Sequence, residues 1–141
     1  MPPNTITPVS IIVVKVPDID TIGMFTQCSG LEMQIDVLQY PEGGNNEFVH
    51  QLPGQLRYPN LVLTRGLTDA DAVFKWFSAT RSQPQLKEVT IIFQNQKQEP
   101  IRTFTFADAF PVRWSGPTAE AGTATVAMET LEIAHGGLKD L

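Results

Sequence analysis

The chain has 141 residues, a hydrophobic content of 42%, a charged content of 18% and a formal net charge of -5. These values are typical of a globular domain that buries on the order of two thirds of its unfolded surface. The acidic balance argues against a protein that binds nucleic-acid phosphates. The single cysteine, Cys28, excludes an internal disulfide and fits synthesis in a reducing compartment. Neither a signal peptide nor a run of roughly 20 apolar residues is recognisable, so we expect one cytoplasmically made domain over residues 1–141 without a membrane span.

The N-terminal part of the chain predicts three strands. Residues 9–16 are apolar on both faces, as in a strand that is covered on two sides. Residues 25–29 predict a short strand that ends at Gly30. Residues 31–39 alternate, so we expect one dry and one wet face. The apolar side chains are Leu31, Met33, Ile35 and Val37, and the polar ones are Glu32, Gln34 and Asp36.

Residues 40–55 have little periodicity, and turn signals at residues 41–46 and 52–54 predict a long loop. Long loops in small domains are usually functional or disordered. Phe48, Val49 and Leu52 argue against disorder, because such side chains need a surface to bury on. We therefore expect this loop to fold back over its own domain or to contact another subunit.

Residues 58–82 predict a strand followed by an amphipathic helix at about residues 68–80. Thr68 is the predicted cap, and the acidic residues after it suit the positive end of the helix dipole. The helical spacing places an apolar stripe on one face. Its predicted core anchors are Val73, Phe74, Trp76 and Phe77.

Alternating apolar residues predict four more strands, at residues 89–93, 101–106, 110–114 and 123–133. The last of them changes parity, which predicts a bulge or a bend near Glu129 and Thr130. With about seven to nine strands and one helix, the spacing predicts a mainly β fold. We expect a small antiparallel β-barrel or sandwich with one flanking amphipathic helix.

A search for chemistry gives no catalytic, cofactor or metal site. His50 and His135 lack partners at metal-ligand spacing and are interpreted as surface or hydrogen-bonding histidines. Cys28 is interpreted as a small apolar side chain and not a nucleophile. Glu129 is expected to be solvated, and Arg65 is expected to form an intramolecular salt bridge.

Several segments, in order along nearly the whole chain, resemble contractile phage tail tube proteins. They are residues 25–31, 40–45, 52–54, 58–66, 76–77, 104–106, 109–117 and 129–138. The chain also resembles the inner-tube subunits of bacterial extracellular contractile injection systems. Its likeness to the type VI secretion tube protein is one of fold.

The resemblance implies a structural role with no enzymatic activity and no cofactor. Subunits of this family form hexameric rings that stack into a rigid tube, which a contracting sheath drives through a target envelope. The implied partners are further copies of the chain, sheath, baseplate and tube-terminating proteins, and cargo in the lumen, without sequence-specific nucleic-acid binding. Assembly is expected in the bacterial cytoplasm, and the mature location is a phage tail or an extracellular contractile particle.

The resemblance also suggests roles for two segments. The loop corresponding to residues 40–55 reaches the next ring in related tube proteins. The predicted stacking residues are therefore Tyr40, Glu42, Gly43, Gly44, Asn45, Phe48, Val49 and Leu52. The wet face of the strand at residues 31–39 is expected to line the lumen, through Glu32, Gln34 and Asp36.

Two other functions remain open at this point. A monomeric small-molecule-binding β-barrel predicts an apolar cavity inside the domain. A hydrolase on a β scaffold requires a nucleophile–base pair, for which the sequence gives no candidate.

Overall fold

The computed structural model describes residues 6–19, 21–41, 49–118, 121–122 and 126–139. In these ranges the chain forms ten strands and one helix. They are β1 (Ile11–Lys15), β2 (Thr21–Phe25), β3 (Gln27–Ser29), β4 (Gln34–Pro41), β5 (Val49–Arg57), β6 (Leu61–Gly66), α1 (Ala72–Ser82), β7 (Lys87–Gln94), β8 (Pro100–Ser115), β9 (Met128–Ala134) and β10 (Gly137–Leu138).

The main sheet follows the order β2-β1-β7-β8-β9-β6-β3, with β10 added beside β8 and every neighbouring pair antiparallel. Its two ends, β2 and β3, are separated in the chain by Thr26 alone. The Thr26 N–H donates to the carbonyl of Thr64 at 2.9 Å, so this bend is fastened to β6. The sheet is therefore an open path whose ends are joined covalently. The prediction of a mainly β, antiparallel fold with one helix is confirmed.

Strand β8 is one bent strand of 16 residues, so the prediction of two separate strands at residues 101–106 and 110–114 was wrong. Its first part pairs with β7 and its second part with β9. Asp108 has a φ of 53° at the bend, where the register with β7 shifts. A bulge therefore turns the strand without ending it.

Strand β9 runs without a bulge along β6, so the predicted bulge near Glu129 was also wrong. The irregularity lies in β8, between Pro111 and Arg113. Along β9, Glu129, Leu131 and Ile133 all face the core. Residues 123–125 of the predicted strand lie outside the described residues.

The segment predicted as a long loop is mostly a β-hairpin. Residues 49–55 belong to β5, which pairs with β4 as a separate two-stranded sheet. The register shifts by one residue after Ile35, and Pro53 sits at this shift opposite Val37. A bulge is one of the few places in a strand that tolerates proline, because its missing N–H breaks no regular ladder.

Helix α1 packs across β2 and β8, and Val73 and Trp76 are fully buried in the core. Phe77 packs against the same core and is partly buried. Phe74, however, is 48% exposed and is not a core anchor. Its ring packs edge-to-face with that of Trp114, with 5.0 Å between the ring centroids.

The helix begins at Ala72, later than predicted. Asp71 occupies the cap position, although its side chain makes no capping hydrogen bond among the described residues. Thr68 accepts a hydrogen bond from the Ala70 N–H at 3.3 Å, so its hydroxyl stabilises the preceding turn instead. Local turn chemistry has thus replaced the predicted cap.

A buried ion pair joins β6 to β9 inside the core. Arg65 is 4% exposed and Glu129 is 6% exposed, and the Arg65 Nε donates to Glu129 Oε1. The Trp114 Nε1 donates to the other carboxylate oxygen at 3.1 Å, and Arg65 Nη1 donates to the Ile22 carbonyl at 3.0 Å. The predicted salt bridge of Arg65 is confirmed, whereas the expectation that Glu129 is solvated was wrong.

The same guanidinium explains a glycine in β2. Gly23 has a φ of 135°, and a Cβ at this position would lie 2.3 Å from Arg65 Nη1. The Arg65 Cζ also lies 4.6 Å from the centre of the Phe25 ring, a cation–π contact. Arg65 therefore holds β2 as well as β9.

Replacing Trp76 by alanine should destabilise the subunit by about 3–5 kcal/mol, the usual cost of deleting a buried aromatic side chain. Phe74→Ala is the matched control, because it removes an aromatic from the same helix at a half-exposed position. We expect Phe74→Ala to lower the free energy of unfolding by less than half as much as Trp76→Ala, as measured by denaturant unfolding. Equal losses for the two variants would show that α1 does not bury the face described above.

Removing one partner of the buried pair, in Arg65→Met or Glu129→Leu, should cost about 3–5 kcal/mol, because the remaining charge is left buried. The double variant should lose clearly less than the sum of the two single losses, since it contains no unpaired charge. Denaturant unfolding of the four proteins measures this coupling. If the stability losses of the two single variants simply add in the double variant, Arg65 and Glu129 are not coupled.

Candidate assembly surface

The β4–β5 hairpin, which we call the arm, is a two-stranded sheet outside the main sheet. Val37 and Leu38 are 58% and 55% exposed, and as consecutive strand residues they lie on opposite faces. Both faces of the arm therefore carry uncovered apolar side chains. The exposed apolar residues on and just before the arm are Met33, Ile35, Val37, Leu38, Tyr40, Val49, Leu52 and Leu56.

Such a surface is unusual for a single subunit. An isolated two-stranded hairpin is marginal in water, and exposed apolar strands invite pairing with another chain. Here an ion pair ties the two strands of the arm to each other, with the Arg57 Nε on β5 2.6 Å from Asp36 Oδ2 on β4. The two strands of the arm thus hold each other, while many of their apolar side chains stay largely exposed in the described part of the chain.

The predicted stacking residues divide into two groups. Tyr40, Val49 and Leu52 lie on the arm and are 61%, 54% and 49% exposed. Tyr40 is opposite His50, and Leu52 is opposite Leu38. The others, Glu42, Gly43, Gly44, Asn45 and Phe48, lie outside the described residues.

The predicted lumen residues lie at the entrance to the arm and along β4. Glu32 and Gln34 are exposed, whereas Asp36 is partly buried and paired with Arg57. The expected division of this strand into a dry and a wet face is not found in the single chain, because its apolar residues Ile35 and Val37 are exposed too.

A small apolar depression lies at the base of the arm. Its volume is about 100 Å³. The lining side chains come from the start of the arm, the β5–β6 turn, β8 and β10, and they are Leu31, Glu32, Met33, Tyr58, Phe104, Phe106 and Leu138. The arm, β8 and the C-terminal strand therefore meet at this point.

His135 fastens this region together. Its Nε2 lies 3.0 Å from the carbonyl oxygen of Pro59, and its Nδ1 accepts a hydrogen bond from the Gly137 N–H at 3.1 Å. Tyr58 and Phe106 pack their rings against the imidazole. Burial lowers the pKa of His135 below its ordinary value of 6.5, and the bond to Pro59 opposes this shift. The sequence allowed a hydrogen-bonding histidine but gave no signal for these partners.

Cys28 faces the interior from β3, opposite Leu63, and is partly buried against the core. Burial raises the pKa of its thiol to about 11, so the reactive thiolate is scarce at neutral pH. No group of three or more potential metal ligands occurs in the described ranges.

None of the helices in the described part of the chain has the length and apolar character needed to cross a bilayer.

Two solved structures of contractile particles contain chains similar to this one. The first is the anti-feeding prophage (AFP) baseplate, 6-fold symmetrised, with 27% identity over 99% of this chain and 96% of that chain and a TM-score of 0.76. The second is the PVC sheath–tube complex of an extracellular contractile injection system in the extended state. There the identity is 25% over 96% of this chain and 91% of that chain, with a TM-score of 0.80.

More distant likeness is one of fold alone. A type six secretion system protein shares 15% identity over 89% of this chain and 78% of its own, with a TM-score of 0.62. No curated protein matches the chain significantly. The family model described as T4-like virus tail tube protein gp19 matches residues 9–139, which confirms the resemblance seen in the sequence. The chain therefore belongs to the T4-like virus tail tube protein gp19 family.

Proposed function

We propose that this tail tube protein forms hexameric rings that stack into the inner tube of a contractile particle, and that the arm makes the contact between rings. The observation that carries the proposal is the arm itself, whose two faces both expose apolar side chains. The role is structural, as in the family to which the chain belongs.

The shape of the subunit supports a head-to-tail assembly. The arm is present once per chain and has no counterpart within the main sheet. A contact between this arm and a different surface of the next copy is heterologous, and such contacts propagate into filaments unless they close into rings. Ring closure within a layer and arm contacts between layers together produce a tube.

The proposed partners are sheath, baseplate and tube-terminating proteins. Similar chains occur in a particle baseplate that is 6-fold symmetrised and in a sheath–tube complex. Both chains are covered along more than nine tenths of their length, so the likeness extends over the whole subunit. We expect this protein to be synthesised in the bacterial cytoplasm and to reach its target within the assembled particle.

A small-molecule carrier is the less favoured alternative. The apolar depression of about 100 Å³ is well below the roughly 300–1,000 Å³ of a typical ligand pocket. A hollow of about 700 Å³ beside it is large enough, but Glu32, Gln34 and Arg57 in its lining make it a polar surface and not the apolar interior that a carrier requires. Leu61, Leu63 and Ile91 have no exposed surface and fill the interior between the strands. In gel filtration, a carrier stays monomeric at every concentration, whereas the proposed subunit forms larger species.

Polar substitutions on the arm should block stacking without unfolding the subunit. In the triple variant Val37→Ser, Leu38→Ser and Leu52→Ser, we expect single rings but no tubes by electron microscopy, because the apolar contact is lost. Met24→Ser is the matched control, since Met24 is 64% exposed but lies outside the arm. A short Gly-Ser link in place of residues 42–48 should likewise give single rings but no tubes.

The melting temperature of the triple variant is expected to match that of the wild type, because the altered side chains are about half-exposed. Tubes of normal length would show that the arm is not the stacking element. An unfolded product would show that the arm belongs to the core of its own subunit.

Two surfaces are candidates for the lumen wall. The first contains Glu32, which precedes the arm, and Gln34, the first residue of β4, and both are exposed. The second is the outward face of β3, β6 and β9, where Thr64 lies opposite both Gln27 and Thr130. The intervening residues of β6 and β9 are buried, so these polar side chains point away from the core.

Lysine substitutions distinguish the two surfaces. In assembled tubes, the pair that lines the bore should retain a labelled single-stranded oligonucleotide, because lysines attract phosphate. The two variants are Glu32→Lys with Gln34→Lys and Thr64→Lys with Thr130→Lys. Asp36 is left unchanged, since its carboxylate holds Arg57. Loss of ring formation in either variant would place that pair at an interface between subunits.

A further inference from the structure

The contacts of His135 are compatible with one protonation state only. The Pro59 carbonyl can only accept, so Nε2 carries the hydrogen. The Gly137 N–H can only donate, so Nδ1 must present its lone pair. The folded protein therefore requires the neutral imidazole with its hydrogen on Nε2.

We propose that His135 is an acid-sensitive latch that fastens the C-terminal strand β10 to the base of the arm. The latch is a property of the subunit, and its effect on tube assembly rests on the function proposed above.

Protonation of Nδ1 places two N–H groups against each other, so the Gly137 hydrogen bond must break. Gly137 has little freedom to move aside while the strand stays in place. Its φ is 127°, and a Cβ at this position would lie 2.8 Å from the Tyr58 ring. Gly137 is also the residue that begins the pairing of β10 with β8, opposite Ala107. Breaking the bond therefore loosens β10.

The strand β10 is coupled to the arm through the apolar depression. Leu138 lines that depression together with Leu31 and Met33, which lead into the arm. When β10 loosens, Leu138 is no longer held there, and the start of the arm loses apolar packing. An imidazole in the C-terminal segment thus influences the position of the arm.

No carboxylate in the described part of the chain contacts the imidazole to stabilise its charged form. Titratable groups do lie on the surrounding elements. Tyr58 presents its ring to the imidazole, and Asp108 on β8 lies against Gly136. Glu132 on β9 accepts from Asn60 at 3.4 Å, and Lys139 beyond β10 pairs with Glu88 on β7 at 2.6 Å. Glu32 lies across the depression and completes this set.

The direction of the pH effect follows from burial. Because the folded-state pKa of His135 is lowered, the unfolded or unlatched chain binds the proton more readily. Neutral His135 stabilises the latched state above the ordinary pKa of 6.5. This stabilisation is lost as the pH falls through the folded-state pKa of His135. The latch is therefore closed at neutral pH and opens in acid.

The test is hydrogen–deuterium exchange of the full-length unassembled subunit between pH 8 and pH 4, corrected for the intrinsic exchange rate at each pH. Nitrogen-15 NMR of the imidazole reports the tautomer and the protonation of His135. We expect the Nε2–H tautomer at neutral pH and a loss of protection at Gly137 and Leu138 as His135 becomes protonated. The chain has two histidines, so His50→Gln is the matched control and should behave like the wild type.

In His135→Gln, the protection of β10 should no longer depend on pH. Three results would overturn the proposal: the Nδ1–H tautomer, an imidazole that stays neutral down to pH 4, or unchanged protection of Gly137 after protonation. If His135→Gln folds poorly, the wild-type titration alone decides the matter. Absence of tubes counts against the proposed function only, because the latch is measured in single subunits.

Discussion

Arg65 and Glu129 are a pair of opposite charges enclosed by the core, and the arrangement of four strands depends on them. A buried charge is costly without its partner, so β6 and β9 must keep the register that brings the two together. The same guanidinium holds the Ile22 carbonyl on β2, and the carboxylate accepts from Trp114 on β8. If any of these strands is misplaced, a buried charge or its hydrogen bond is left without a partner. The ion pair therefore favours this strand arrangement over others with similar apolar packing.

The main sheet and the arm differ in where they place their apolar side chains. Within the main sheet, most apolar side chains are enclosed, with Met24 as an exposed exception, and the two strands at the ends of the path are joined through Thr26. On the arm, apolar side chains face outward on both sides of a hairpin. This contrast fits membership of a tail tube family, because exposed apolar patches of this size usually mark a site for a partner.

The fold class and most of the buried face of the helix follow from local periodicity and could be predicted, whereas Phe74, predicted as a core anchor, is half-exposed. The arm could not, because Pro53 and Gly54 have the chemistry of a loop and only their pairing with β4 shows that they lie in a strand bulge. The burial of Glu129 depends on Arg65, which is 64 residues away in sequence. Gly137 is a local partner of His135, but Pro59 and Tyr58 come from the β5–β6 turn and Phe106 comes from β8, so most of its environment likewise has no local signature.

The continuous strand β8 has a mechanical consequence. Because one covalent chain pairs with β7 along its first part and with β9 along its second, it bridges the two halves of the main sheet. A force that pulls these halves apart along the strand direction loads many hydrogen bonds of both ladders in shear, instead of opening them one after another. The single chain should therefore resist stretching most strongly along the direction of β8.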